Sequence, residues 1–86
     1  MLRVTRRQRC GSTQCLALEG RLTYDGLGRF EEACREILDR GTPLELELSG
    51  LRFVDPPGVA TLQALRREGV ALVGASGFVD ALLRAS

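Results

Sequence analysis

The chain is 86 residues long, 44% hydrophobic and 27% charged, with a formal net charge of +1. That length holds one domain, and the composition is that of a folded globular chain, since a disordered one carries fewer apolar residues and more net charge. Twelve basic residues, all arginine, against eleven acidic ones exclude the one-sided positive surplus of a nucleic-acid module, and the absence of histidine excludes the usual zinc site or Cys–His pair.

Residues 2–8, LRVTRRQ, alternate Leu2 and Val4 with polar neighbours, the period of a half-buried strand. Four arginines within residues 3–9 read as a charged, aggregation-resistant strand edge in preference to a binding arm. The turn CGST follows. CLALEGRLT then sets Leu16 and Leu18 on one face and Cys15, Ala17 and Glu19 on the other, so the two strands form a hairpin. Cys10 and Cys15 flank its turn and a bridge between them is one reading; two free thiols are the reading that suits a reducing compartment.

Leu27, Phe30, Cys34, Ile37 and Leu38 recur at helical spacing between Gly26 and Arg40, opposite Glu31, Glu32, Arg35, Glu36 and Asp39. Asp25 is the expected cap and Gly41 the stop. LELELSG alternates Leu44, Leu46 and Leu48 with Glu45 and Glu47. Covering both faces of that strand would bury two glutamates, so all helices are expected on one side of the sheet. FVDPPGVATL runs from strand into a helix with Val59, Leu62 and Leu65 inward and Ala64 at the margin, ending before Gly69. VALVG is a fourth strand. GFVDALLRA is a last helix, capped by Ser76, with Phe78, Val79, Leu82 and Leu83 inward.

The fold class is therefore α/β, in the order ββαβαβα: a four-stranded, mostly parallel sheet with an antiparallel edge strand and helices on one face, as a single domain over residues 1–86. Charge begins at Arg3, straight after Met1 and Leu2, and no apolar run reaches the roughly 18 residues of a membrane span. The expectation is a cytoplasmic protein without direct membrane insertion.

Catalysis finds no footing, because no serine or cysteine has a base nearby in sequence and the carboxylates fall on wet faces; catalytic and metal residues are expected to be none, and cofactors none. VALVGASGFV has the glycines of a dinucleotide turn, but the nine residues after Gly77 leave no room for the second strand and its acid. The turn Asp55-Pro56-Pro57-Gly58 is the most distinctive stretch. Asp55 suits an N-cap accepting the Gly58 amide, and Pro56 suits the first helical position, where a missing N–H costs nothing. Two readings of the prolines stay open: a well-made connection that lowers unfolded-state entropy, or a rigid surface that loses little freedom when a partner docks.

The succession of LALEGRLT, an amphipathic helix, LELELSGLRFVDPPGVATL and GVALVGASGFVDALLRA resembles the STAS domain, the fold of bacterial anti-sigma-factor antagonists and of regulatory tails on anion transporters. The resemblance runs from about Cys15 to Ala85 and rests most on the strand, Asp55, the two-residue insert, Gly58 and the helix. It implies a regulatory protein-protein module, with an anti-sigma factor or kinase, or a transporter ATPase, as partner. In signalling members the two inserted positions are typically serines and the second is phosphorylated; here they are Pro56 and Pro57, which have no hydroxyl. The family's aspartate after the second strand is replaced by Thr23, with Asp25 two residues on. Members usually continue with another strand and helix, so the last strand is expected to form an exposed edge where a partner chain or a second copy can pair. The implied contact surface comprises Thr23, Tyr24, Asp25, Asp55, Pro56, Pro57 and Gly58, rimmed by Arg52, Gln63 and Arg66. Binding of a small anion or nucleotide at the same helix N-termini is the alternative, disfavoured by the amides the prolines delete.

Overall fold

A computed structural model describes residues 2–84, and for residues 8–10 the backbone only. The elements follow the order ββαβαβα: β1 (Leu2–Cys10), β2 (Thr13–Leu22), α1 (Tyr24–Asp39), β3 (Leu44–Val54), α2 (Pro56–Arg67), β4 (Ala71–Val73) and α3 (Gly77–Arg84). The strands lie in the order β1-β2-β3-β4, with β1 antiparallel to β2 and the other two pairings parallel. Short connections and helical crossovers force this arrangement, since a parallel pair needs a crossover whereas a tight turn closes only a hairpin.

One apolar cluster gathers Leu16, Leu18 and Leu22 from β2, Leu44, Leu46, Leu48, Leu51 and Val54 from β3, Leu27, Phe30, Cys34 and Ile37 from α1, Val59, Leu62 and Leu65 from α2, and Val79 and Leu83 from α3. All three helices thus cover the leucine face of the sheet. Glu45 and Glu47 stay half-exposed on the other face, where Glu47 approaches Arg7 at 3.7 Å. The alternation in LELELSG forecasts this one-sided cover, and the forecast stands.

Several local expectations need correction. The hairpin strands continue to Cys10 and resume at Thr13, closing around Gly11 and Ser12, because backbone pairing extends past the apolar pattern. Cys10 pairs with Thr13 and Cys15 with Arg7, so the two cysteines are not register partners; Cys15 is a free thiol, and the thiol of Cys10 lies outside the described residues. Ala17 is buried although it shares no face with Leu16 and Leu18, since its short side chain lies between those of Thr5 and Glu47 on the neighbouring strands. Helix α1 begins at Tyr24 with Thr23 in the cap position, which leaves Asp25 in the first turn instead of capping. Phe78 is 54% exposed, not inward, because α3 turns Val79 and Leu83 to the core and one helix face cannot also hold their neighbour. Ala64 faces solvent. Ser76 does cap α3, accepting from the Val79 amide at 3.2 Å.

Candidate functional site

Asp55 follows Val54, the last residue of β3, in extended conformation, with φ −82° and ψ 172°. Its amide donates to the Leu22 carbonyl at 3.1 Å, so the exit of β3 is tied to the end of β2. Its carboxylate then serves two helices. Oδ1 accepts from the Gly58 amide at 2.9 Å and Oδ2 accepts from the Tyr24 amide at 2.8 Å. One side chain therefore caps the N-termini of α2 and α1 together, with its negative charge at the positive end of both helix dipoles.

Pro56 and Pro57 occupy the first two positions of α2 and bring no N–H. The third amide, that of Gly58, is already taken by Asp55. The N-terminus of α2 thus presents no free amide in its first three positions, unlike the donor-rich helix ends that hold phosphates. Gly58 is buried and cannot be anything larger: a Cβ there would stand 2.8 Å from both the Leu22 carbonyl oxygen and a Val54 methyl. Helix α2 starts in direct contact with the strand ends for that reason, and the two prolines form an exposed shoulder above the contact.

Beside the shoulder, Val54, Pro56, Val59, Ala60, Gln63 and Leu82 line an apolar groove of about 330 Å³ between α2 and α3. Ala60 escapes the sequence reading as a surface residue, whereas Leu82, read as inward, is half-buried against the core and borders the groove. The spacing of Pro56, Ala60 and Gln63, four and then three apart, was a signal that they share one helical stripe.

Of the expected contact residues, Thr23, Tyr24, Asp55, Pro56, Pro57 and Gly58 come together through the Asp55 bridge. Tyr24 is 73% exposed, so its ring is available at the surface. Arg66 is exposed on α2, as expected. Asp25 lines, together with Thr23, a hollow of about 620 Å³ between β1 and α1 that also holds Leu2, Val4, Arg21, Arg29 and Phe30. Gln63 is buried and donates to the Leu83 carbonyl at 2.7 Å, tying α2 to α3. It is therefore a brace and not part of an exposed rim. Arg52 lies with Arg3, Glu19, Gly20, Arg21 and Gly50 around a separate hollow.

Burial pushes the Cys34 thiol up to about 12, so it is protonated and inert near neutrality. Arg35 and Glu68 form a bidentate ion pair, 2.8 and 2.9 Å, that joins α1 to α2 and holds the Glu68 carboxyl below its usual range. Among the described residues, no three metal-ligating side chains gather and no helix is long and apolar enough to cross a membrane.

A mixed four-stranded sheet with one-sided helices and a capped, amide-poor turn at the mouth of its second helix is an arrangement of the STAS type. The chain belongs to the STAS domain family: the family described as "Mlab, STAS domain" matches residues 5–86. STAS domains are typically non-catalytic modules. Among solved structures it is similar to that of the unphosphorylated anti-sigma factor antagonist SpoIIAA, with a TM-score of 0.75 at 16% identity, over 98% of this chain and 84% of that one. At that identity the likeness carries the fold. No curated protein sequence matches the chain.

Proposed function

We propose that this domain is a non-enzymatic regulatory module that binds a protein partner through the Asp55-Pro56-Pro57-Gly58 shoulder and the groove beside it, and that it has no phosphorylation switch at that turn. The observation that carries the reading is the double cap by Asp55. It fixes the shoulder in one conformation, so docking there costs little ordering entropy. The correspondence of Pro57 with the phosphorylated serine of signalling STAS domains rests on the family resemblance; a residue without a hydroxyl accepts no phosphoryl group. The module is then permanently competent to bind.

Two partners fit the class. The fold shared with SpoIIAA favours an anti-sigma factor or its kinase. Membership of the "Mlab, STAS domain" family, read with the resemblance to transporter-associated domains, keeps a transporter ATPase as the second. The small-anion alternative is weakened by the missing amides at the start of α2.

Affinity capture with the immobilised domain, followed by identification of the bound protein, tests this directly. The expected result is recovery of one of these two partner classes by the native domain, and its loss when Ala60→Glu places a charge in the apolar groove. Equal recovery by the Ala60→Glu and Pro57→Asp variants would remove the turn from the interface. Saturable binding of a nucleotide in equilibrium titration would favour the alternative instead.

A further inference from the structure

The face of the sheet opposite the helices carries a feature that the docking shoulder does not use. Between Gly20 and Arg21 the β2–β3 register slips: Gly20 pairs with Leu51 and Arg21 with Phe53, so Arg52 is an extra residue on β3. A regular strand would send Arg52 and Phe53 to opposite faces. Here Leu51 and Val54 are both buried in the core while Arg52 and Phe53 between them are both exposed, the re-aiming that an extra residue in one strand produces. Arg52 thereby joins Arg3 and Arg21 around a shallow hollow of about 480 Å³, with Glu19 as its single carboxylate and Gly20 and Gly50 in its lining. Gly50 is compelled by the fold, because a Cβ would stand 2.7 Å from Glu19 Cγ and 2.9 Å from the Leu18 carbonyl oxygen.

Among the described residues, the ion pairs of the molecule use Arg7, Arg35, Arg40 and Arg84, and none of the three arginines of the hollow. Arg21 instead lies against the Phe53 ring, 5.8 Å from its centroid, which steadies the guanidinium without neutralising it. Three exposed guanidiniums against one carboxylate leave a local positive surplus in a chain whose net charge is only +1. Guanidinium forks match carboxylates and other planar oxyanions by paired hydrogen bonds.

We propose that this hollow is a second docking surface, on the uncovered sheet face, for a short acidic segment of a partner protein. The hollow is open and shallow, a form suited to an extended chain and not to an enclosed small ligand. A long polyanion fits poorly, because Glu45 and Glu47 lie on the same sheet face and the exposed side of α1 carries Glu31, Glu32, Glu36 and Asp39. The surface is independent of the proline shoulder and stands whether or not that site binds.

The test is a fluorescence-anisotropy titration of the intact domain with a fluorescein-labelled octaglutamate peptide, with amide chemical shifts followed in parallel. Expected are binding that weakens as salt is added, shift changes confined to Glu19, Gly20, Arg21 and Gly50 to Phe53, and a loss of about fivefold to tenfold in Arg21→Gln/Arg52→Gln. Glu19→Gln tightens binding, a gain that partial unfolding would not produce. The charge-matched control Arg29→Gln/Arg67→Gln binds as the native domain does. Equal loss in the control, absence of binding, or stronger binding to a short DNA duplex or to phosphatidylglycerol vesicles would overturn the assignment.

Discussion

Asp55 accepts two backbone amides from two helices, and no other residue type supplies two acceptor oxygens on so short a stem. Asp55→Ala is expected to cost about 2 kcal/mol or more, from two lost caps at roughly 1 kcal/mol each, measured by urea denaturation. Asp55→Asn turns an NH₂ toward one of the two amides, so it falls between alanine and the native residue. Gly58→Ala forces a methyl against the Leu22 carbonyl and is expected to destabilise by about 1 to 3 kcal/mol, which the same measurement checks. The cap on Gly58 was legible in the order Asp-Pro-Pro-Gly, because an N-cap bond spans three residues. The bond to Tyr24 was not, since it joins positions 31 apart that only packing brings together.

Helices α1 and α2 meet through the Arg35–Glu68 pair, and Cys34 is among the α1 residues buried in the core, with Leu27, Phe30 and Ile37. The hydrogen-bonded Arg35 guanidinium holds the Glu68 carboxyl below its ordinary 4.5, so the contribution of the pair is present above that pH and fades as pH falls below it. Both side chains are well exposed, so the effect is small and shrinks further with salt. Cys34 acts with the opposite sign. Its folded value is raised from 9.0 to about 12, so stability declines with pH between those values, as the unfolded chain releases a proton that the folded one keeps. Comparing alkaline unfolding of the native domain and Cys34→Ala by circular dichroism checks this: the variant is expected to lack that component of the decline. Helical and strand periods were readable element by element, whereas the inward face of α3 was misjudged at Phe78. In so short a helix the apolar residues outnumber the positions that face the core, and packing selects among them.

At the scale of the whole molecule, the sheet ends in two different edges. β1 is long and carries Arg3, Arg6 and Arg7 among its exposed residues, while β4 has three residues and pairs with β3 alone. Charge protects a long edge from pairing with another chain, and brevity limits a short one. Replacing both Arg6 and Arg7 with valine is expected to cause concentration-dependent association, visible as larger species in sedimentation velocity. The native domain under the same conditions sets the baseline.

Alternation in LELELSG, the helical recurrence from Leu27 to Leu38 and the Asp-Pro-Pro-Gly turn determined by themselves the order of elements, the parallel crossovers and the bare side of the sheet. Each is a local pattern whose period forces side chains to one face. Packing decided what those patterns leave free: the bond from Asp55 to Tyr24, the burial of Gln63 against α3, and the register slip that sets Arg52 beside Arg3 and Arg21. These depend on how far one strand slides against the next and how closely a helix can approach, and such distances exist only once the chain has closed on itself.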